Sequence, residues 1–336
     1  MHADETVTFV RPKLGLYLYP GILYTGEVRV VNIGIPEQLL QEVEVQHYAI
    51  EKNEMPHLLP QRAVRSNKGS FGKVLTIGGS LGMAGAITLT SKAAYKVGCG
   101  TVTCAVPECI IEIIQQKLTE VMVLGLEAEE GHFSEKASIQ LNSLLSSYQV
   151  IAIGPGMKRN KKTSEMVYIV LKSDLPCVLD ADALYFLAEM KELLKERVAP
   201  TIITPHPGEM AHLIGVSIEQ ILEDPIQYAQ EFSRQYGVIT VLKLEKTVIA
   251  DRNGVIYINR YGNSGLAKGG SGDTLTGIIA GLLGQHARPI DAAILGVYLQ
   301  TRAADIAKHK LSEYSFLASD VIHYLGETFL ELISMK

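Results

Sequence analysis

Gly262-Asn263-Ser264-Gly265-Leu266-Ala267-Lys268-Gly269-Gly270-Ser271-Gly272-Asp273, followed by Thr-Leu-Thr-Gly-Ile-Ile-Ala-Gly-Leu-Leu-Gly284, is the stretch that decides the fold. It has the pattern of a glycine-rich loop that runs into the N-terminus of an apolar helix. Gly269, Gly270 and Gly272 have no Cβ, so the backbone can adopt positive φ and direct several N–H groups to one point. The helix N-terminus adds unpaired donors and the positive end of the helix dipole. The stretch therefore predicts an anion site suited to a phosphate.

Asp273 needs a separate explanation, because a carboxylate beside a phosphate site repels the ligand. One explanation is proton transfer from a substrate hydroxyl, for which a base must lie within hydrogen-bond reach. The other is a helix cap near Asp273, since Asp is a favoured N-cap residue. An ordinary cap does not require three glycines in the four preceding residues, and we therefore favour Asp273 as the catalytic base.

The helix after this loop is rich in small residues, at Gly277, Ala280, Gly281 and Gly284. This glycine content lowers intrinsic helicity, so tertiary packing must hold the helix. Small side chains also allow neighbouring elements to approach closely. We therefore expect this helix at the centre of the protein.

Composition limits the classes of function. With 336 residues, 47% hydrophobic and 20% charged, the chain can bury a large core. A net charge of −5 gives no electrostatic footprint for nucleic acid or an anionic membrane, and no apolar run is long enough for a membrane span. The four cysteines show no C-x-x-C pair, and the N-terminus has no signal-like segment. A cytoplasmic, reduced protein is the expectation.

Strands, loops and helices alternate regularly from about residue 74. Repetition of this unit predicts an α/β, doubly wound, mainly parallel sheet flanked by helices. Three further strands with short turns are predicted to be antiparallel, and three helical segments close the chain. The predicted strands are 74–77, 101–106, 121–124, 150–153, 177–179, 201–204, 238–244, 247–251 and 255–259.

Residues 1–47 differ from the rest of the chain. Two strand-like segments, 6–10 and 26–34, are separated by Pro and Gly but by no long helix. A segment this short buries little surface by itself. We therefore expect residues 1–47 to form a strand-like arm and residues 48–336 to form the α/β domain.

Glycine and polar clusters follow the strands of the predicted sheet. In open α/β sheets, ligands bind outside the carboxyl ends of the strands. The clusters are therefore expected to form one site. The loop 78–85 lacks the G-x-G-x-x-G spacing, which argues against a hydride-transfer dehydrogenase. The clusters are 78–80, 154–156, 180–182 and 205–209.

Several side chains in these clusters have two readings. His206, between two prolines, is held stiffly; it either contacts a ligand, which we favour, or caps a helix that begins at Gly208. Asp180 and Asp182 alternate and so point to opposite faces, one toward the ligand or a metal-bound water and one toward a helix start. Lys243 ends an apolar strand and suits either a phosphate contact or a solvated edge. Lys268, among glycines, is the better phosphate candidate.

Taken together, these motifs resemble the ADP- or ATP-dependent NAD(P)H-hydrate dehydratases, which repair hydrated NADH and NADPH on a ribokinase-like fold. The resemblance runs from about residue 67 to residue 325. The order of the later motifs is specific, whereas Gly-Gly-Ser-Gly-Asp alone indicates only a ribokinase-like protein. The motifs that carry it are 68–72, 78–80, 85–86, 154–156, 180–184, 204–210, 262–276 and 317–320.

The resemblance implies roles for individual residues. Asp273 would act at the reacting hydroxyl and contact the substrate. The other contacts to the hydrated nicotinamide dinucleotide would come from Ala86, Gly156, Thr204, Pro205, His206, Pro207, Gly208, Glu209 and Met210. The adenine nucleotide would be held by Lys243, Leu244, Glu245, Lys246, Thr247, Asn263, Ser264, Gly265, Leu266, Ala267, Lys268, Gly269, Gly270, Ser271 and Gly272.

The reaction implied is phosphorylation of the ring hydroxyl of the hydrate, followed by loss of phosphate, with AMP and phosphate as products. Phosphate is a much better leaving group than hydroxide, and phosphoryl transfer requires an anion hole and a positioned base. Bacterial members use ADP, which we expect here, with Mg²⁺ bridging the phosphates and no protein metal ligand assigned. A homo-oligomer, a tetramer as in relatives, is also implied.

The chain departs from the family pattern in places. Leu244 and Glu245 follow the strand lysine where the family often has glycine, which puts the nucleotide contacts there in doubt. Asn67 replaces a common histidine and Thr119 a common proline. Residues 3–36 resemble the closing portion of the epimerase domain that precedes the dehydratase in bifunctional relatives. The earlier epimerase motifs are missing, so we expect a remnant with a structural or oligomer-contact role and no epimerase activity; the alternative is that the sequence is a truncated part of a longer protein.

Two other classes of function remain open. A ribokinase-like kinase for a vitamin precursor or small alcohol would release a stable phosphorylated product. A nucleotide-binding protein without catalysis would bind nucleotide and be insensitive to replacement of Asp273.

Overall fold

Alternating helices and strands occupy most of the chain in the computed structural model, which describes residues 2–43 and 45–336. Two units are distinct, Met1–Tyr48 and Ala49–Lys336. In the first unit, strand β1 (Glu5–Phe9) pairs in parallel with strand β2 (Glu27–Val31), and helix α1 spans Glu37–Glu42. Strand β3 (His47–Ala49) crosses the boundary between the units.

The second unit contains the sheet. Its strands are β4 (Lys73–Ile77), β5 (Thr101–Pro107), β6 (Met122–Leu126), β7 (Ala128–Glu129), β8 (His132–Phe133), β9 (Val150–Ile153), β10 (Cys177–Leu179), β11 (Thr201–Ile203), β12 (Ile239–Leu242), β13 (Val248–Ala250) and β14 (Ile256–Ile258). Its helices are α2 (Met55–Leu58), α3 (Ala84–Lys96), α4 (Ile111–Lys117), α5 (Glu135–Leu144), α6 (Lys161–Lys172), α7 (Asp182–Met190), α8 (Leu193–Glu196), α9 (Pro207–Ile214), α10 (Ile218–Glu223), α11 (Pro225–Tyr236), α12 (Ser271–Gly284), α13 (Pro289–Leu311) and α14 (Ala318–Ile333).

Within this unit the main sheet has the strand order β14-β13-β12-β11-β10-β9-β4-β5-β6. All neighbours from β12 to β6 are parallel, which confirms the predicted mainly parallel α/β sheet. The prediction of antiparallel pairing among the last three strands is confirmed, since β12 and β14 each pair antiparallel with β13. On its other side β12 pairs in parallel with β11.

Helix α12 lies in the core, as its small residues predict. A methyl group built on Gly277 would lie 2.1 Å from the carbonyl oxygen of Thr90, and one on Gly281 would lie 2.4 Å from that of Ala94. Both acceptors belong to α3, so the two helices touch backbone to backbone. Every residue of α12 from Thr274 onward is buried.

Two further observations concern the whole described chain. Across residues 2–43 and 45–336, no helix has both the length and the apolarity needed to cross a bilayer. The four cysteines are free thiols, of which Cys109 alone is exposed. Burial raises the pKa of the Cys104 thiol to about 11, so this group is held as a neutral core side chain.

Candidate active site

Five parallel strands bring the predicted clusters to one edge of the sheet. Strands β4, β9, β10, β11 and β12 run in the same direction, so their carboxyl ends share this edge. Backbone contacts join the loops that follow them: the amide of Gly79 donates to Pro155 (2.8 Å) and that of Lys243 to Pro205 (2.8 Å). The N-terminus of α12 lies here too, because a methyl group built on Gly272 would lie 3.5 Å from Oδ2 of Asp180.

A buried ion pair lies at the centre of this edge. The carboxylate of Asp180, 1% exposed, accepts from Lys243 Nζ at 2.7 Å and from Thr276 Oγ1 at 2.7 Å. Burial by itself would raise the pKa of Asp180, but the Lys243 ammonium and these hydrogen bonds hold it below its ordinary value. Burial would lower the pKa of Lys243, and Asp180 and Glu209 together raise it. Both side chains are therefore charged at neutral pH.

His206 is the N-cap of helix α9. Its Nδ1 accepts from the backbone N–H of Gly208 (3.0 Å) and Glu209 (3.3 Å), and the carboxylate of Glu209 accepts from the His206 amide at 2.8 Å. The helix begins at Pro207, one residue before the predicted start. Because Nδ1 is an acceptor, the neutral ring carries its proton on Nε2. This exposed Nε2 lies 3.5 Å from Glu209 Oε1 and retains a donor for a ligand. His206 can therefore both cap α9 and contact a ligand.

Asp273 is the third residue of α12, not its cap. The helix begins at Ser271, earlier than predicted, and the N-cap is Gly270, whose φ of +95° suits glycine. The pKa of the Asp273 carboxyl is raised to about 6, first by burial and then by the charge of Asp180, while Lys243 opposes the shift. A carboxyl with a pKa this close to neutrality is matched to a role as a general base.

The loops after β4 and β9 meet beside this centre. A methyl group on Gly156, whose φ is +67°, would lie 2.8 Å from the carbonyl oxygen of Met83 and 3.2 Å from Cβ of Ala86. The Ser80 hydroxyl donates to the Gly156 carbonyl at 2.8 Å. Ala86 and Gly156, both implied substrate contacts, are therefore neighbours. Gly154 joins them to the centre, since a methyl group there would lie 1.8 Å from the Asp180 carbonyl oxygen.

The remaining implied substrate residues follow β11. Thr204 and Pro205 are buried, and the Thr204 hydroxyl lies 3.5 Å from that of Thr276. The side chain of Met210 is fully buried, so it packs in the core on the inward side of α9.

The side chain of Lys268, a residue of the glycine-rich loop, is held by hydrogen bonds to another segment. Its ammonium donates to the carbonyl oxygens of Glu313, Tyr314 and Phe316 at 3.2, 2.9 and 2.8 Å. These bonds tie the loop to the segment before α14. The sequence alone did not reveal this, because the acceptors are backbone atoms 45 residues or more along the chain.

The rest of the loop is also anchored from outside. Asn263 Nδ2 donates to Asp305 Oδ1 (2.8 Å), and Asn263 Oδ1 accepts from the Gly265 amide (3.1 Å). The Ser271 carbonyl accepts from Gln300 Nε2 at 2.6 Å. Leu266 is half-buried, and Ser264, Ala267 and Gly269 are exposed. Helix α13 therefore fixes the loop that precedes the N-terminus of α12.

The turn after β12 holds the other implied nucleotide residues. Lys246 Nζ donates to the Arg260 carbonyl at 2.8 Å, and burial lowers the pKa of this lysine. Thr247 is buried, Leu244 is half-buried and Glu245 is exposed. The extra charge of Glu245 thus faces solvent, and the bulk of Leu244 lies beside Lys243.

Asp182 has a different role from the predicted helix cap. It is the first residue of α7, and its carboxylate accepts from the Lys158 amide (2.9 Å) and Arg159 Nε (3.0 Å), which holds the loop after β9. The residue before it, Ala181, has φ +51° and ψ −122°, a conformation that favours glycine. Strain of about 1–3 kcal/mol at such a residue is characteristic of functional sites.

One residue of the centre was missed by the sequence analysis. Thr276 bonds Asp180 and lies next to Thr204. The available signal was its spacing, since a residue three positions after Asp273 lies on the same face of the helix.

A magnesium ion at this site would require oxygen ligands in its coordination shell. In the described ranges, no three His, Cys, Asp or Glu side chains are grouped so as to hold a metal. Mg²⁺ commonly uses one or two carboxylates, water and the phosphates of its nucleotide. Asp180 and Glu209 face Lys243, at 2.7 and 3.7 Å, and Asp182 pairs with Arg159 at 3.0 Å. The site therefore fits a Mg²⁺ held by nucleotide phosphates and water, with Asp273 kept as the base and no protein ligand assigned.

Comparison with known proteins places this geometry in context. Residues 74–326 match the family described as NAD(P)H-hydrate dehydratase. A bifunctional NAD(P)H-hydrate repair enzyme from Moorella thermoacetica is 42% identical over 327 residues, 97% of this chain and 62% of that protein. The chain thus spans less than two thirds of this relative. The ADP-dependent (S)-NAD(P)H-hydrate dehydratase of Bacillus subtilis is 36% identical over 81% of this chain and 95% of its own length.

Solved structures agree with the predicted fold. An ADP/ATP-dependent NAD(P)H-hydrate dehydratase from Bacillus subtilis, co-crystallized with ATP and Mg²⁺, superposes with a TM-score of 0.75 at 32% identity over 85% of this chain and 98% of that one. A ribokinase-like superfamily protein from Enterococcus faecalis gives 0.74 at 26% identity over 86% and 98%. The ribokinase-like fold is confirmed.

Proposed function

Because the chain belongs to the NAD(P)H-hydrate dehydratase family, we propose that it is an ADP-dependent hydro-lyase that converts the S form of hydrated NADH and NADPH back to NADH and NADPH. The observation that carries the proposal is the placement of Asp273. Its carboxyl, with a pKa raised to about 6, lies at the glycine-rich N-terminus of α12 beside Lys243. A base next to an anion hole is the arrangement that phosphoryl transfer to a hydroxyl requires.

In the proposed reaction, Asp273 accepts the proton of the ring hydroxyl as the oxygen attacks the terminal phosphorus of ADP. The bond from that phosphorus to AMP breaks, and AMP leaves. The carbon–oxygen bond of the phosphorylated ring then breaks, phosphate departs with the bonding electrons, and loss of a proton from the adjacent ring carbon restores the double bond. The products are dihydronicotinamide, AMP and phosphate.

Several groups of the protein itself fit these steps of the proposed reaction. The first backbone N–H groups of α12 have no acceptor within the helix and are proposed to bind the phosphate, and the Lys243 ammonium lies 3.2 Å from a methyl group built on Gly272 in the same turn. A magnesium ion bound to the nucleotide would neutralise phosphate charge. His206 Nε2 and the surfaces of Gly156 and Ala86 are proposed to contact the hydrated nicotinamide.

We also propose that residues 1–47 correspond to the end of an epimerase-type domain and that residues 48–336 form the dehydratase domain. The Moorella relative, which is bifunctional, matches 97% of this chain, whereas the single-function Bacillus relative matches 81%. A cytoplasmic homo-oligomer, a tetramer, is part of the same proposal.

The test follows recovery of the near-ultraviolet absorbance of dihydronicotinamide when the protein is mixed with hydrated NADPH, Mg²⁺ and either ADP or ATP. Wild type and Asp273→Asn are run in parallel, with AMP and phosphate quantified. We expect recovery with the wild type, faster with ADP, and none with Asp273→Asn. A stable phosphorylated dinucleotide would instead indicate a kinase, and nucleotide binding without turnover by the wild type would contradict the proposal.

A further inference from the structure

Arg159 is held in a fixed position in the loop that follows β9. It follows Gly156 by three residues, in the turn after β9. The two carboxylate oxygens of Asp182 hold this turn: Oδ2 accepts from the Lys158 amide at 2.9 Å, and Oδ1 accepts from Arg159 Nε at 3.0 Å. The guanidinium is therefore held to the first turn of α7.

An aromatic stack supports the same guanidinium. Cζ of Arg159 lies 4.5 Å from the centroid of the Tyr185 ring, and Tyr185 stacks on His212 with centroids 4.6 Å apart and an interplanar angle of 4°. A guanidinium over a tyrosine face gains cation–π energy and loses rotational freedom. Arg159 is thus more ordered than a surface arginine with one ion pair.

Most of the hydrogen-bonding capacity of Arg159 is unused. In residues 2–43 and 45–336 its only hydrogen bond is made by Nε, while a guanidinium has five N–H donors. Its side chain is 53% exposed. The two terminal nitrogens form the fork that binds phosphate oxygens in pairs. A positioned, half-exposed arginine with this fork available suits a phosphate ligand.

The charges around the site explain why such a cation is needed. Asp180 is matched by Lys243 at 2.7 Å, but Glu209 and Asp273 bring further carboxyl groups to the same edge, and their field repels a dinucleotide with several phosphate charges. Lys158 and Lys161 add positive charge next to Arg159, and Lys162 is paired with Glu129. Three residues of chain reach about 10 Å at most, so Arg159 lies within the length of a dinucleotide held at Gly156.

We propose that Arg159 is a specificity-determining residue that binds a phosphate of the hydrated dinucleotide. The proposal rests on the function proposed above for the site at Gly156 and Asp273. Two phosphates of the substrate have the required chemistry, the pyrophosphate common to both hydrates and the 2′-phosphate found only in the NADPH form. Comparison of the two hydrates distinguishes them.

The experiment measures binding of hydrated NADH and hydrated NADPH by titration calorimetry without adenine nucleotide, and then KM and kcat with ADP. The variants are Arg159→Gln and Arg159→Lys. The matched control is Arg288→Gln, since Arg288 is another exposed arginine paired with an aspartate, Asp291 at 2.6 Å, at the start of α13. Thermal unfolding of each variant checks the fold.

We expect Arg159→Gln to raise Kd and KM about 10-fold or more, as loss of charge-assisted hydrogen bonds does, with kcat within about twofold of wild type. Arg159→Lys should be intermediate, and Arg288→Gln should equal wild type. A loss confined to hydrated NADPH assigns the 2′-phosphate, and an equal loss for both hydrates assigns the pyrophosphate. Unchanged Kd for both hydrates in folded Arg159→Gln overturns the proposal.

The binding measurement also separates this inference from the proposed function. If the wild type fails to restore dihydronicotinamide, the proposed function is wrong, yet a higher Kd in Arg159→Gln would still support the phosphate contact. A fall in kcat and in unfolding temperature at unchanged Kd would assign Arg159 a structural role and overturn the inference.

Discussion

Lys243 Nζ lies 2.7 Å from Oδ1 of the buried Asp180, and this pair joins the end of β12 to the end of β10 at the N-terminus of α12. Glu209 Oε2, 3.7 Å from the same nitrogen, is the next nearest carboxylate described. Removal of one partner of a buried pair leaves the other charge without compensation. The pair is therefore a structural requirement of the site as well as a source of positive charge.

The first prediction concerns the coupling in this pair. Asp180→Asn and Lys243→Met should each reduce the free energy of unfolding by about 3 kcal/mol. Lys243→Met leaves the buried Asp180 carboxylate without a cation, and Asp180→Asn leaves Lys243 with only the more distant Glu209. The double variant should recover much of this loss. Urea unfolding of the four proteins in a double-mutant cycle measures the coupling free energy. Additive losses would contradict the pairing.

The second prediction follows from the raised pKa of Asp273. A carboxyl whose pKa is higher in the folded than in the unfolded protein binds its proton more tightly when folded, so its ionisation destabilises the fold as pH rises from about 4 to 6. Asp273→Asn removes that cost. We expect a higher free energy of unfolding above about pH 7, by roughly 2–3 kcal/mol, with the gain vanishing near pH 4.

Denaturant unfolding across this pH range measures the effect, with Asp174→Asn as the control for loss of an exposed carboxylate. The same variant of Asp273 should be inactive, and the wild-type kcat/KM should fall as pH decreases through about 6, where the base becomes protonated. A pH-independent change in stability would show that Asp273 has an ordinary pKa.

The third prediction separates the two roles of His206. Asn is also a good N-cap residue, so His206→Asn should retain the cap, while His206→Ala should lose about 1 kcal/mol of stability. Both variants lack the Nε2 donor and should raise the KM for the hydrate. Thermal unfolding and steady-state kinetics give the two readouts. Full activity in His206→Asn would limit His206 to capping.

The fold and the edge of the site were largely predictable because their signals are local. The alternation of elements predicted the sheet, and Gly277 and Gly281 predicted close packing of α12 on its neighbours, of which the structure identifies α3. In a parallel sheet, strand direction alone brings the carboxyl ends together. The order of Asp180, Thr204 and Lys243 along the chain therefore indicated that they share an edge.

The partners of individual side chains could not be predicted, because they depend on contacts distant in sequence. Lys268 bonds carbonyl oxygens of 313–316, and backbone acceptors carry no residue signature. Thr276 acquires its role from the position of Asp180, 96 residues earlier. The positive φ of Ala181 could not be predicted from the sequence either, since alanine rarely adopts a positive φ.

The fourth prediction compares two glycines of the loop. Gly270 has φ +95°, and a methyl group there would lie 2.7 Å from Leu89 Cδ1 and 3.0 Å from Ala318 Cβ, so Gly270→Ala should cost about 1–3 kcal/mol of stability. Gly272 lies in the first turn of α12 without positive φ. A methyl group there would lie 3.2 Å from Lys243 Nζ, a tight contact that a shift of the ammonium by a few tenths of an ångström relieves.

Gly272→Ala should therefore keep most of its stability, since the Asp180–Lys243 pair stays formed, and lose nucleotide affinity about 10-fold or more, because the methyl group occupies the approach to the N–H groups. Calorimetric titration with Mg²⁺ and ADP, beside thermal unfolding, measures both quantities. Wild-type affinity in Gly272→Ala would place the phosphates elsewhere on the loop. If Gly272→Ala loses affinity but not stability, the fold itself tolerates the methyl group. The position must then be kept free for the ligand.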